Sequence, residues 1–151
     1  MRLTFEVPGP VKGKGRPRAT VTQGGHARMY TPADTVSYEN HIRGCYLQAF
    51  GRQMVQPPVV LEVAAQFAVP KSYSRKKAAL CGQNIIRPTC KPDADNILKA
   101  VADALNGVAY ADDSAVVEMR VSKRYGPAPA LYVRVSGEAP PQEEQIQEEQ
   151  I

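Results

Sequence analysis

A short run of acids and one lysine carries the strongest chemical signal in the chain. Lys91-Pro92-Asp93-Ala94-Asp95-Asn96-Ile97-Leu98-Lys99 is followed, beyond an apolar stretch, by Asp112-Asp113. Asp93 and Asp95 stand two apart, so in an extended backbone their side chains project to the same side. Two like charges held close raise each other's pKa unless a cation sits between them. Hard oxygen ligands that leave room for several waters suit Mg²⁺, with Mn²⁺ as a substitute, rather than zinc. Asp95 is also placed to cap the helix that follows. Lys99 lies one turn further along that helix face, where an ammonium can offset charge developing on a phosphate or orient a water. Adjacent strand residues face opposite ways, so one of Asp112 and Asp113 is expected at the metal. Each piece alone has an ordinary reading. A D-x-D pair is common in surface turns, and Lys99 could be a solvated residue paired with Asp95 or Asp103. The combination is what outweighs those readings.

The elements that must position these residues follow from periodicity. Arg2–Val7 alternates polar and apolar as a half-buried strand does, and Pro8-Gly9-Pro10 ends it. A glycine-rich basic loop follows, Val11-Lys12-Gly13-Lys14-Gly15-Arg16-Pro17-Arg18. Thr20-Val21-Thr22 and Ala27-Arg28-Met29-Tyr30 read as a hairpin. Thr31-Pro32 opens a helix over 34–50, with Val36, Ile42, Tyr46 and Leu47 assigned to one buried side. The β-branched run Val59–Val69 has the character of a central strand, and a short helix is expected from Ser74. Prolines keep Arg87–Pro92 extended. Ile97, Leu98, Val101, Ala102 and Leu105 share one face of the next helix, which Asn106-Gly107 terminates. Strands over 114–123 and 131–135 complete the order β-β-β-α-β-α-α-β-β. That order predicts an α+β fold: a mixed, mainly antiparallel sheet with helices packed against it.

At 151 residues the chain fits one domain that can bury a core without disulfides. We place that domain at 1–137. Residues 138–151 form an acidic, low-complexity tail, repeating Glu-Glu-Gln-Ile, whose composition cannot bury enough apolar surface to fold and which reads as disordered. Cys45, Cys81 and Cys90 have no C-x-x-C spacing and read as idle thiols in a reducing compartment. No apolar run approaches the roughly 20 residues a membrane-spanning helix needs, and the N-terminus lacks a signal-peptide core. The expected location is the cytoplasm, with no membrane partner.

The net charge of +4 conceals a split. The tail holds five of the 15 acids and none of the 19 bases, which leaves 19 against 10, or +9, for residues 1–137. Such a surplus points toward a polyanion. Two clusters concentrate it. Lys12, Lys14, Arg16 and Arg18 come from the loop, whose glycines let backbone approach a phosphate. Lys71, Arg75, Lys76, Lys77, Arg87 and Lys91 come from a stretch with no acid between Glu62 and Asp93. All ten are candidates for salt-sensitive DNA contacts. Tyr30 and Tyr73 are candidates for stacking on exposed bases, although such tyrosines more often serve packing.

The stretch from Lys91 to Val117, Lys-Pro-Asp-Ala-Asp-Asn-(x2)-Lys-(x3)-Asp-Ala-Leu-Asn-Gly-Val-(x)-Tyr-(x)-Asp-Asp-(x2)-Val-Val, resembles the RusA family of Holliday-junction resolvases. The likeness extends to Pro8-Gly9-Pro10, Gly15-Arg16-Pro17-Arg18 and Tyr30-Thr31-Pro32, as in phage-type members. By that resemblance Asp93, Asp95 and Asp113 would hold the metal, Lys99 would be the catalytic lysine, and a homodimer would make paired nicks across a four-way junction with Mg²⁺. Asp112 and Asp103 also match, with less defined roles. Two other readings compete with this one. A DNA-junction-binding protein could keep the fold without cleaving, although the intact acids and lysine argue against that. D-x-D also serves nucleotidyl and glycosyl transferases, but Gly13 and Gly15 precede no helix as a nucleotide-binding loop would.

Overall fold

The computed structural model describes residues 1–140. Its elements are β1 (Arg2–Pro8), β2 (Arg18–Val21), β3 (Ala27–Tyr30), α1 (Ala33–Phe50), β4 (Gln56–Ala68), α2 (Arg75–Gly82), α3 (Ala94–Leu105), β5 (Val116–Gly126) and β6 (Ala130–Glu138). This is the element order expected from the sequence. Of the expected acidic tail, Glu138 ends β6, and residues 141–151 lie outside the described residues. No helix among the described residues is long and apolar enough to cross a membrane.

The main sheet runs β1-β6-β4-β5. Its β1/β6 and β6/β4 pairs are antiparallel and β4/β5 is parallel, so it is mixed and mainly antiparallel, as expected. Alternation selects which side is buried. Leu3, Phe5 and Val7 of β1 and Leu131, Val133 and Val135 of β6 point inward with Leu61, Val63 and Ala65 of β4. Both α1 and α3 cover that face. The opposite face is polar, and Glu62 there lies between Arg120 at 3.7 Å and Arg134 at 3.5 Å.

The inward residues of α1 are Thr35, Tyr38, Ile42 and Tyr46, at helical spacing. Ile42 and Tyr46 are buried as expected, but the expected face is corrected at Val36 and Leu47, which are 43% and 42% exposed. Val36 and Leu47 are apolar but lie off the buried stripe. The two tyrosines define it, with Tyr46 packed edge-on against Phe5 and Phe50.

The apolar face of α3 is the one anticipated. Ile97, Val101 and Leu105 are wholly buried and Ala102 nearly so, with Leu98 partly covered. Burial contributes about 1.5–3 kcal/mol for each large side chain, so the core fixes this helix firmly against the sheet. Its other stripe, with Asp95 and Lys99, is exposed. The hairpin β2–β3 projects from the body with every strand residue exposed.

Candidate active site

Helix α3 carries the acids on its exposed stripe. Asp93 is its N-cap residue and Ala94 its first helical residue, so Asp95 lies in the first turn. The cap is therefore Asp93 and not Asp95, and the extended D-x-D geometry does not apply, because the backbone is already helical at Ala94. The Asp93 carboxylate makes no capping hydrogen bond. It faces outward and pairs with Lys91 Nζ at 3.1 Å, both groups being well exposed. Asp95, Lys99 and Asp103 follow at four-residue intervals. Lys99 is exposed and enters no ion pair among the described residues, so neither suggested partner, Asp95 nor Asp103, engages it.

The chain then doubles back to bring Asp113 toward this helix. Gly107, with φ 74°, makes the turn after the Asn106 cap, in the left-handed region where glycine costs least. Tyr110 locks the returning loop. It is wholly buried, and its hydroxyl donates to the Ala102 carbonyl at 3.0 Å. Burial, then the negative charges of Asp113 and Asp103, push the Tyr110 phenol well above its ordinary pKa. It therefore stays a neutral donor.

Asp112 and Asp113 have different tasks. A single 3₁₀ turn, Asp113–Ala115, precedes β5, so the strand begins at Val116 rather than at Ser114. The Asp112 carboxylate caps that turn, accepting from the Ser114 amide at 3.2 Å and from its hydroxyl at 2.6 Å. Those hydrogen bonds hold Asp112 below the usual carboxylate pKa. Asp113 is left without such partners among the described residues. Partial burial, then the Asp103 and Asp112 charges, raise its pKa.

Among the described residues, no three His, Cys, Asp or Glu side chains stand close enough to share an ion. Asp95 and Asp103 are separated by about 12 Å of helix rise. Asp95 and Asp103 thus lie along one stripe of α3 with Asp93 at its head, and Asp113, from the returning loop, lies in the field of Asp103. Their chemistry nevertheless fits a hard divalent cation. All are carboxylates, Asp93 is unused as a cap, and Asp113 is crowded by negative charge that a cation would relieve.

The loop at 11–18 behaves differently from its sequence reading. A Cβ on Gly13 would lie 2.9 Å from Pro92 Cβ and 3.0 Å from Asn96 Cβ, and one on Gly15 would lie 2.6 Å from Thr35 Oγ1. These glycines allow close packing against α3 and α1. Lys14 turns inward, to Glu39 Oε1 at 2.6 Å and Asp103 Oδ2 at 3.1 Å. Burial works against its charge, but those two partners outweigh it and hold its pKa above the usual lysine value. Lys12, Arg16 and Arg18 remain exposed.

In the second basic cluster Lys71, Arg75 and Lys76 are exposed, while Lys77 lies 3.9 Å from the centre of the Tyr73 ring. Arg87 donates twice to the Lys123 carbonyl, at 3.1 and 3.0 Å. Tyr73 packs against Tyr125, whereas Tyr30 is 46% exposed. The residues that sequence reasoning missed are Glu39, Thr35 and the buried Tyr110. A lone glutamate in a helix and a motif tyrosine give no pattern to find them by, because their roles exist only once distant segments meet.

Residues 8–136 match the family model of endodeoxyribonuclease RusA. The chain is also 35% identical over 135 residues to "Uncharacterized protein YqaN" of Bacillus subtilis (strain 168), covering 88% of this chain and 94% of that one. The family match runs from the end of β1 into β6 and includes every acid of the α3 stripe, and on that ground the chain belongs to the RusA family of endodeoxyribonucleases, in general Holliday-junction resolvases.

Proposed function

We propose that this chain is a divalent-metal-dependent endonuclease that cuts four-way DNA junctions, with Asp93, Asp95 and Asp113 as metal ligands and Lys99 as the catalytic lysine. The observation that carries the reading is the exposed stripe of α3. There a carboxylate unused as a cap heads the helix, a second aspartate lies one turn below a solvent-facing lysine, and the returning loop brings Asp113 into the field of Asp103 on the same helix. When bound there, Mg²⁺ or Mn²⁺ supplies positive charge to a scissile phosphate and a water of lowered pKa.

The protein's own residues do the rest. Asp93, Asp95 and Asp113 are exposed, so their carboxylates are open to an ion and to a DNA backbone arriving from solvent. The buried faces of α3 and Tyr110 keep the backbone under them rigid. Lys99 presents an ammonium one turn from Asp95, placed to meet charge that develops on the phosphate. The open stripe suits a duplex backbone, whereas a nucleotidyl transferase needs an enclosed nucleotide site. Three concavities on the surface are lined by residues other than these acids. Lys12, Arg16, Arg18, Lys71, Arg75 and Lys76 grip flanking phosphates. Two copies related by a two-fold axis would match the junction's symmetry and set one site on each of two opposing strands.

The test is cleavage of a synthetic four-way junction by the purified chain with Mg²⁺, beside linear duplex and single strand. Paired symmetric nicks in the junction, absent with chelator, are expected. Tight junction binding with no nick under any divalent ion would instead support the non-catalytic binding protein.

A further inference from the structure

We infer that Lys14 is a positioning residue: bridging Glu39 of α1 and Asp103 of α3, it fixes the basic loop against the aspartate-bearing helix, so that a phosphate held by Lys12, Arg16 and Arg18 meets the acids in one register. The inference rests on the nuclease reading for its consequence, but its geometry stands independently.

A lysine in a DNA-binding loop ordinarily extends into solvent, as Lys12 and Arg16 on either side do. Lys14 does the reverse, and its side chain is only 18% exposed. Turning it inward costs rotamer freedom and hydration. Two carboxylates offset that cost, with Glu39 at 2.6 Å and Asp103 at 3.1 Å.

Backbone contacts around it have the same effect. The Lys14 amide donates to the Asn96 carbonyl at 2.9 Å, and the Gly15 amide donates to Thr35 Oγ1 at 2.9 Å. Gly13 sits where any side chain would strike Pro92 and Asn96, the residues beside Asp93 and Asp95. Residues 13–15 are thus clamped to both helices, and Lys14 supplies the only cation of the clamp among the described residues. Lys14 also keeps Asp103 tied to the frame. Without it, Asp103 and Glu39 would be partly buried acids with no counter-charge among the described residues.

Lys14→Met, Lys14→Arg and Glu39→Gln test this with three readouts. In Lys14→Met, hydrogen–deuterium exchange should rise at least tenfold over residues 10–18 while α3 stays protected. Single-turnover cleavage at saturating protein should fall at least tenfold, with junction affinity and its salt slope within threefold and one-half unit of the parent. Lys14→Arg should recover most of the rate. If Lys14→Met does not fold, Glu39→Gln carries the test, with faster exchange of the loop and slower cleavage at unchanged affinity. Parental exchange and rate in a folded Lys14→Met or in Glu39→Gln would overturn the inference. So would a loss of affinity equal to the loss of rate, which would make Lys14 a DNA contact, or an arginine variant no better than the methionine one. If the parent cleaves no junction, the nuclease reading fails while the exchange result still decides whether Lys14 holds the loop.

Discussion

Helices α2 and α3 begin in opposite ways. Ser74 ends the loop before α2 and its hydroxyl accepts from the Lys77 amide at 3.2 Å, an ordinary cap that satisfies an otherwise orphaned donor. Asp93 occupies the same position before α3, yet its carboxylate makes no such bond. The charges differ too. Arg75, Lys76 and Lys77 crowd the positive end of α2, where cations are unfavourable, while Asp95 sits in the first turn of α3, where an acid is favourable. So α2 keeps its cap and gives up dipole stability to hold cations outward, and α3 gives up its cap to leave a carboxylate available. Each departure from the most stable choice marks what that helix offers to solvent: basic charge at one, an uncapped carboxylate at the other.

The largest effect should come from reversing the second helix's offer. Asp93→Asn, Asp95→Asn and Asp113→Asn are each expected to slow junction cleavage on the order of 10²- to 10³-fold, with junction binding in gel-shift assays largely unchanged. Ser74→Ala, at the matching position of α2, should instead lower stability by about 1 kcal/mol and leave the cleavage rate within about twofold. A Ser74 variant as inactive as the Asp93 one would erase the contrast.

Arg75→Glu with Lys76→Glu sharpens the other half. Replacing cations by acids at the start of α2 should stabilise the helix by a few tenths of a kcal/mol each or more, while junction affinity falls. The slope of log affinity against log salt should become shallower by about 0.9 for each phosphate the protein no longer neutralises. An unchanged slope would return α2 to being a solvated face.

Gly13→Ala is expected to cost about 1–3 kcal/mol in urea denaturation, since its Cβ meets carbons of Pro92 and Asn96 that packing holds in place. The smallest effect concerns Asp113. Its folded pKa is raised, chiefly by partial burial and then by Asp103 and Asp112. The folded state therefore binds that proton more tightly than the unfolded chain does. Stability from this group is present below the unfolded aspartate value and is lost as pH rises through the higher folded one. At neutral pH, without metal, Asp113→Asn should melt at or slightly above the parent, and divalent ions should raise the parent's melting temperature but not the variant's.

The fold is readable in the sequence where one periodicity dominates. Strand β1 and the buried face of α3 follow from alternation or helical spacing of apolar residues, and β4 from its β-branched run. The face of α1 is readable only in part, because Ile42 and Tyr46 are buried as their spacing suggests but Tyr38 fills the core where Val36 and Leu47 do not. The acids can be found because chemistry restricts their type and spacing. What sequence does not show is which partners a side chain meets. A count of lysines treats Lys14 and Lys12 alike, yet one meets two carboxylates from segments 25 and 89 positions away in the chain and the other meets water. The separate tasks of Asp112 and Asp113 likewise depend on a short 3₁₀ turn that neither composition nor alternation signals.

The central claim is that the acids at the start of α3 and Asp113 serve one divalent ion. Anomalous diffraction from crystals grown with Mn²⁺ tests it most directly. The account predicts a peak coordinated by Asp113 together with Asp93 or Asp95, within a turn of Lys99. A peak held by Asp103 and Glu39 instead, or full Mn²⁺ occupancy with Asp113 outside the coordination shell, would contradict it.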